Sequence, residues 1–576
     1  MQMNSTDAKS PVVPSVVARQ ARLESSYAPW RARTLDQMLD HVAKQHPDRE
    51  FVVTDTRTYT YADMADWSNR VAAGLSRAGV QAGEHVAVLM ANYPEFVATK
   101  FAIARLGAVM VPVNFLNRRD ELGYVLLQSD AVVLITMDRF RDLDYLDALD
   151  QLSPGWERLG GGSALPTLRT VIVLPTAEHP VRPQAMSFRM LEDRSAEPIL
   201  HRGDPNSLSD IIYTSGTTAA PKGVMLTHDM MLRSAYGSAY ARAFEESRRI
   251  LFSLPLYHVY GYVEGLLASM FVAGACILQL KFDPAATLRG VGRHRATDML
   301  LIPTMTLALL DEQKQHGHAL SCLHSSISSG GRAPAYLWED MRTTLHVAEI
   351  TTGYGMTECT ASTTVTRPDD PIEKLLTTNG RLRDVGAAGD SSRGNRLVDY
   401  RTIDPQTGLD VAPGEVGELI AQGPGVTRGY YKNPEATAAA FTADGWLHTG
   451  DLGRIDNDGY LALAGRLKES YRCGGETVMP TEAEDLLALH HKVLQAHVVP
   501  VPDMRMGEVG AAFVILRPGA QLEGDELNAY CASRMARFKV PKFFLAITAE
   551  ELPTTASGRA RKFMLTELAI NRLGLR

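Results

Sequence analysis

Cysteine is scarce in this chain and never paired at short range. Cys276, Cys322, Cys359, Cys473 and Cys531 lie far apart, with no C-x-x-C among them. That spacing argues against a disulfide framework or a structural zinc site and suits a reducing cytoplasm. Cys473 stands beside two glycines without a neighbouring His or Asn, and reads as a small packing residue rather than a nucleophile. Long apolar runs are missing too. The longest, "GLLASMFVAGACILQL" at 265–280, is too short and too glycine-broken to span a bilayer, and reads as a buried helix leading into a strand. The N-terminus "MQMNSTDAKSPVVPSVVARQ" has no apolar core of signal-peptide length. Positive charge is not in excess: 59 basic against 66 acidic residues leave a net −7. That balance argues against general affinity for nucleic acid or an anionic membrane. A soluble, cytoplasmic protein with no membrane span is expected.

What is present is length and alternation. At 576 residues the chain exceeds what one hydrophobic core serves, so at least two domains are expected. After a polar lead-in over 1–33, apolar strands alternate with helical stretches. "EHVAVLMANY" reads as a strand, and "PEFVATKFAIARLG" as a helix with proline at its start and glycine past its end. Further strands are "AVMVPVN", "AVVLIT", "TVIVLP", "DIIYTSG", "RILFSLP", "CILQLKF" and "DMLLIP". The alternation predicts an α/β fold with largely parallel sheets flanked by helices. From about residue 410 shorter strands with glycine-rich turns predict an antiparallel or barrel-like section. The last hundred or so residues hold two β-rich runs and the helical "GDELNAYCASRMARF", enough for a small α+β domain. "ERLGGGSALP" near 157 and "AAGDSSRGNR" near 387 read as mobile stretches.

One segment carries chemistry on its face. In "IIYTSGTTAAPKGVMLTH", at 211–228, an apolar strand enters a loop of Ser, Thr and Gly and leaves through Pro-Lys-Gly into a second strand. Such a loop turns backbone N–H groups and the hydroxyls of Thr214, Ser215, Thr217 and Thr218, around Gly216, onto a phosphate, with Lys222 adding charge. Downstream come "PLYHVYG" (255–261), "SSGGRAP" (328–334), "TTGYGMTE" (351–358), "GWLHTGDLGRIDNDGYLALAGRLKES" (445–470), "CGGETVMPTEAE" (473–484) and "LPTTASGRARKFML" (552–565).

Together and in this order, from about residue 34 to 570, these segments resemble the adenylate-forming superfamily of acyl-CoA synthetases, peptide-synthetase adenylation domains and luciferases. The resemblance implies a large N-terminal domain over 34–467 and a mobile C-terminal domain over 468–576, hinged at Lys468. It implies an acyl-adenylate made from a carboxylic acid and Mg·ATP, then exchange of AMP for the thiol of CoA. Tyr257, His258, Gly330 and Gly331 would line the acyl pocket, with His258 also in the catalytic set. Gly330, Gly353, Tyr354, Gly355, Met356 and Thr357 would border the nucleotide, Tyr354 near adenine and Thr357 facing phosphate. Glu358, with Thr217, would hold Mg²⁺, since a hard cation beside phosphate takes carboxylate oxygen. Asp451, assisted by Arg466, would accept from the ribose hydroxyls. Gly474, Gly475 and Glu476 would line the CoA channel, with Lys539 and Lys542 toward the CoA phosphates. Small Ala361 and Ser362 hint at room for a bulky acid; fatty, aromatic and polycyclic acids all stay open.

Three positions depart from the family's pattern. Arg559 stands where relatives carry the lysine that bridges carboxylate and α-phosphate, Ala219 replaces a phosphate-loop glycine, and "AAGDSSRGNR" replaces Gly-Arg-Pro. Arginine is a planar fork rather than a compact ammonium, and misplacing that charge would cost about 3 kcal/mol, roughly a hundredfold in rate. Lys562 is a weak candidate to compensate. The departures touch the adenylation half-reaction and leave the thiol step intact. They raise the expectation of a ligase that mainly transfers the acyl group from an acyl-AMP supplied by a separate adenylating enzyme. The alternatives are a conventional ATP-dependent synthetase doing both steps, and a catalytically silent ligand-binding relative. Free CoA rather than a fused carrier is expected, because about a dozen residues follow the final motif; a separate carrier protein is the other acceptor.

Overall fold

The computed structural model describes residues 13–176, 182, 184–192, 203–214, 220–330, 333, 336–521, 525–554 and 560–575. Two seven-stranded sheets build the N-terminal region. The first orders Glu349–Thr351, Ser325–Ser328, Asp298–Leu301, Arg249–Phe252, Ala275–Leu278, Glu50–Val53 and Thr58–Thr60, all parallel except the last pair. The second orders Lys222–Thr227, Leu208–Thr214, Val109–Pro112, His85–Leu89, Ala131–Met137, Thr170–Leu174 and Met186–Ser187, with only the first pair antiparallel. The strands read as unbroken apolar runs because both faces are covered. Along one strand, Val86 and Val88 enter one core while Ala87 and Leu89 enter another. The Pro94–Arg105 helix starts on its proline, and Gly107 beyond its end takes φ 65°. Its Lys100 is buried against Asp210 Oδ2 at 2.7 Å, tying the helix to the strand that leads into the phosphate-loop segment.

The polar lead-in contains a helix, Val16–Tyr27, docked on this region. Arg19 pairs with Glu349, and Glu24 Oε2 accepts from the Ala387 amide at 2.8 Å. The two stretches that read as mobile are packed. A methyl group on Gly160 or Gly161 would overlap the backbone at Leu168 or Leu165, and Arg393 pairs with Asp399 at 2.6 Å.

The section after residue 399 is a four-stranded antiparallel sheet, Asp399–Ile403, Gly417–Gln422, Leu447–Ile455 and Leu461–Arg466. The C-terminal part is α+β. Gly507–Leu516 pairs with Tyr471–Cys473, Val493–Asp503 and Phe543–Ala546, and the Pro480–Ala488 and Lys562–Leu573 helices pack on Val493–Asp503. The helix expected across 524–538 is shorter, Glu526–Ala532, followed by a 3₁₀ turn at Arg537–Lys539. Among the described residues no helix is long and apolar enough to cross a membrane.

Candidate active site

The phosphate-loop segment is a hairpin whose arms are in register, Thr214 opposite Lys222. Ser215, Gly216, Thr217, Thr218 and Ala219 lie outside the described residues. Lys222 at the base of the loop places Nζ 4.9 Å from the Tyr430 ring centroid. The Tyr430 hydroxyl donates to Glu358 Oε1 at 3.1 Å. One aromatic side chain therefore links the loop cation to the expected metal ligand, and nothing in motif spacing points to it.

Glu358 is buried, and burial holds its carboxyl above the usual carboxylate range. It lies in the turn joining the hairpin strands Gly353–Met356 and Ala361–Val365, a hairpin that explains its own glycines. A methyl on Gly353 would overlap the Thr364 carbonyl, and one on Gly355 the Ala361 carbonyl, so close backbone approach demands both. Gly330, at the end of the neighbouring strand, takes φ 85°; Ser329 Oγ donates to the Gly353 carbonyl at 2.5 Å and joins the two segments. Met356 is half-buried and Thr357 buried beside them. Gly331 is outside the described residues.

Tyr354, Asp451 and Arg466 form one cluster. The Tyr354 hydroxyl donates to Asp451 Oδ2 at 2.7 Å, and Arg466 Nε pairs with Oδ1 at 2.9 Å. Burial, reinforced by the Asp451 charge, keeps the phenol protonated and so a donor. Asp451 and Arg466 are cross-strand neighbours. Lys468 follows, exposed, between half-buried neighbours on a 3₁₀ turn, Leu467–Glu469.

On the expected acyl side, Asn92 shapes the "PLYHVYG" loop. It accepts from the Leu256 amide at 3.0 Å and donates to the Leu254 carbonyl at 3.0 Å. His258 Nδ1 accepts from the Tyr260 amide at 3.2 Å, which puts the proton of the neutral ring on Nε2. Tyr257 is buried edge-on against Phe115, ring centroids 5.2 Å apart, and its hydroxyl has no hydrogen-bond partner among the described residues. Burial raises its pKa, and the Arg561 guanidinium, close enough to act on it, opposes the rise. Arg559 itself lies outside the described residues. The loop continues into Tyr260–Leu267, a wide-turned π-helix of the kind found at functional sites. Gly261 and Gly265 let it close on Leu254, Pro255 and Phe252.

The residues expected around CoA gather elsewhere. Gly474 (φ 61°) and Gly475 (φ 93°) are the central pair of a two-residue hairpin turn between Cys473 and Glu476. Positive φ at both positions marks a type I′ turn, which by itself requires glycine. The turn and Glu476 are exposed, and a methyl on Gly475 would meet nothing within 4 Å. Lys539 is paired with Glu482 at 2.5 Å and Lys542 with Asp503 at 2.5 Å, so both cations already have carboxylate partners. Lys562 is likewise engaged, 2.9 Å from Glu469 and 2.7 Å from Glu484. Burial alone would lower its pKa, but the two carboxylates outweigh that and hold it above the ordinary lysine value. It thus ties the Leu467–Glu469 turn to the Pro480–Ala488 helix.

A family model described as AMP-binding enzyme matches residues 39–431, and one described as AMP-binding enzyme C-terminal domain matches 482–559. The chain is 35% identical over 552 residues to the putative acyl-CoA synthetase YngI of Bacillus subtilis (strain 168), covering 94% of this chain and 98% of that protein. It is 33% identical over 542 residues to the 3-[(3aS,4S,7aS)-7a-methyl-1,5-dioxo-octahydro-1H-inden-4-yl]propanoyl:CoA ligase of Mycobacterium tuberculosis (strain ATCC 25618 / H37Rv), covering 93% and 99%. Among solved structures, the anthranilate CoA ligase AuaEII in complex with anthranoyl-AMP superposes with a TM-score of 0.82 at 26% identity, covering 94% of this chain and 98% of that one.

Proposed function

The chain belongs to the AMP-binding enzyme family, and from that premise we propose that it joins a carboxylic acid to CoA through an acyl-adenylate. It is an acid–thiol ligase of the AMP-forming class. In the first step a carboxylate oxygen attacks the α-phosphorus of ATP and pyrophosphate leaves. In the second the CoA thiol attacks the acyl carbon and AMP leaves. The observation that carries the reading is the cluster of Tyr354, Asp451 and Arg466, joined at 2.7 and 2.9 Å, next to the Lys222–Tyr430–Glu358 relay at the phosphate-loop base.

Asp451 accepts from the ribose hydroxyls, and Arg466, 2.9 Å from its Oδ1, orients that carboxylate. Lys222 and the loop hydroxyls of Thr214, Ser215, Thr217 and Thr218 hold the phosphates. His258, with its proton on Nε2, presents a donor toward the acyl carboxylate. The donor set suits Mg²⁺. No group of three or more His, Cys, Asp or Glu gathers among the described residues, and Mg²⁺ beside a nucleotide takes one or two carboxylates plus phosphate oxygens. Glu358, with Thr217, would hold it, and the ion would neutralise phosphate charge. A division into domains at 34–467 and 468–576, turning at exposed Lys468, supplies a route for the Gly474–Gly475 turn to reach the site for the thiol step.

Arg559 favours a finer reading: adenylation is slowed, and acyl-AMP from a separate adenylating enzyme is the better substrate. Lys562, the cation offered in compensation, is already engaged by Glu469 and Glu484. One preparation given acid, Mg·ATP and CoA, or synthetic acyl-adenylate and CoA, across fatty, aromatic and polycyclic acids, tests both levels. Thioester from adenylate but not from ATP, with Arg559→Lys restoring use of ATP, is the expected result. Equal thioester from both supports a conventional two-step synthetase. No thioester from either overturns the ligase reading.

A further inference from the structure

Behind the hairpin that carries Tyr354 and leads into Glu358 lies a set of buried polar side chains that no expected role uses. Ser234, on the His228–Ala241 helix, donates through Oγ to the Thr360 carbonyl at 2.5 Å. Glu264, on the π-helix, accepts from the Ser362 amide at 3.0 Å. Arg383 donates from Nη2 to Ser234 Oγ at 2.9 Å and brings Nη1 to 3.5 Å from Glu264 Oε1. Ser234, Glu264 and Arg383 are 2%, 1% and 6% exposed, so each polar atom was taken out of water to make these contacts.

They converge on an unusual piece of backbone. Thr360 and Ala361 take φ 56° and 79°, two consecutive non-glycine residues in the left-handed region. Such a conformation persists only where its surroundings over-determine it. Here three bonds do so: Ser234 to the Thr360 carbonyl, Thr360 Oγ1 to the Gly425 carbonyl at 2.8 Å, and the Ser362 amide to Glu264. The turn begins two residues after Glu358, whose own carbonyl accepts from Thr427 at 2.7 Å. The adjoining cavity, lined in part by Cys359, Ser362, Thr363, Arg383 and Gly425, measures about 10 Å³. That admits one water and no acyl group, which points away from a ligand subsite.

We propose that Ser234, Glu264 and Arg383 are positioning residues that hold the Thr360–Ala361 turn in its left-handed form and thereby aim the Glu358 carboxylate. Arg383 braces Glu264 from 3.5 Å, the Glu264 carboxylate anchors the Ser362 amide, and Ser234 anchors the carbonyl on the other side of the turn. The aim of Glu358 at Mg²⁺ rests on the function proposed above; the order of the turn does not.

The test reads the turn before it reads activity. Hydrogen–deuterium exchange over 353–365, on the full chain without ligand, should be faster in Ser234→Ala by roughly tenfold, the equivalent of one lost buried hydrogen bond. Arg383→Lys, which keeps the buried charge but loses the fork, should give about threefold. Calorimetric titration of ATP binding against Mg²⁺ should show the half-saturating Mg²⁺ concentration raised about fivefold or more in Ser234→Ala. Ala361→Gly in the Ser234→Ala background should bring that requirement back to within about twofold, because glycine takes positive φ without steric cost. Unchanged exchange in both single variants, or a double variant as impaired as the single, overturns the proposal. If Glu358→Gln leaves the Mg²⁺ dependence untouched while Ser234→Ala still speeds exchange, the metal reading of Glu358 falls and the anchoring of the turn stands.

Discussion

The Tyr354 hydroxyl and the Asp451 carboxylate meet at 2.7 Å across two different antiparallel sheets, so the Gly353–Met356 and Leu447–Ile455 strands are joined by one buried hydrogen bond. Both groups are buried. Tyr354→Phe leaves an Asp451 oxygen without its donor while keeping the ring. ATP affinity should fall about tenfold, roughly 1.4 kcal/mol, with the KM for the acid unchanged. Asp451→Asn should lose more, since it also releases Arg466. Equal ATP affinity in Tyr354→Phe, by calorimetry, would remove this pair from nucleotide binding.

Glu358 gives a pH prediction with a definite sign. Burial raises its carboxyl pKa, so the folded chain binds this proton more tightly than the unfolded one. Stability from the neutral form is present below the unfolded value of about 4.3 and is lost as pH climbs through the folded value. Without Mg²⁺, Glu358→Gln should therefore melt higher than the natural chain near neutral pH, and the difference should vanish in acid. Mg·ATP binding needs the ionised form, so its acid limb should lie above the ordinary carboxylate range and be absent in Glu358→Gln. A limb at the ordinary value, or one retained in the variant, contradicts the assignment.

How far the sequence could be read depended on the range of the contacts. Runs such as His85–Leu89 and Ala131–Met137 were legible because burial on both faces makes every residue apolar. Strand order was not, since it joins Glu50–Val53 to Ala275–Leu278 across more than two hundred residues. Motif residues were legible as a set, and the structure brings Tyr354, Asp451 and Arg466 into direct contact. Tyr430, Asn92, Ser234 and Arg383 left no trace, because each acts on a partner far away in sequence with no fixed spacing between them. The glycine-rich stretch near 157 misled for a local reason: Gly160 and Gly161 serve close packing, not mobility.

Gly475 separates a turn's needs from a channel's. At φ 93° an alanine is strained by about 1–2 kcal/mol, yet its methyl would touch nothing within 4 Å. Gly475→Ala should therefore fold with a modestly lower melting temperature and leave ATP–pyrophosphate exchange near its natural rate. Thioester formation from synthetic acyl-adenylate and CoA should drop about tenfold or more if pantetheine passes along this turn. An equal loss in both half-reactions would mean that the glycine serves folding alone.

Lys562 sits between Glu469 on the Leu467–Glu469 turn and Glu484 on the Pro480–Ala488 helix, and it opens the Lys562–Leu573 helix. Replacing it with methionine strands two carboxylates that shared one half-buried cation. Removing one partner from such a part-exposed cluster costs about 2 kcal/mol, between the values for surface and buried pairs, because the remaining charges are left uncompensated. Lys562→Met should show that loss in urea unfolding. Glu484→Gln in the same chain should recover part of it by removing one of the stranded charges. If Lys562 instead supplied the cation missing at 559, Lys562→Met would abolish acyl-adenylate formation at unchanged stability. Measured together, unfolding free energy and pyrophosphate release assign this lysine to stability or to the chemistry.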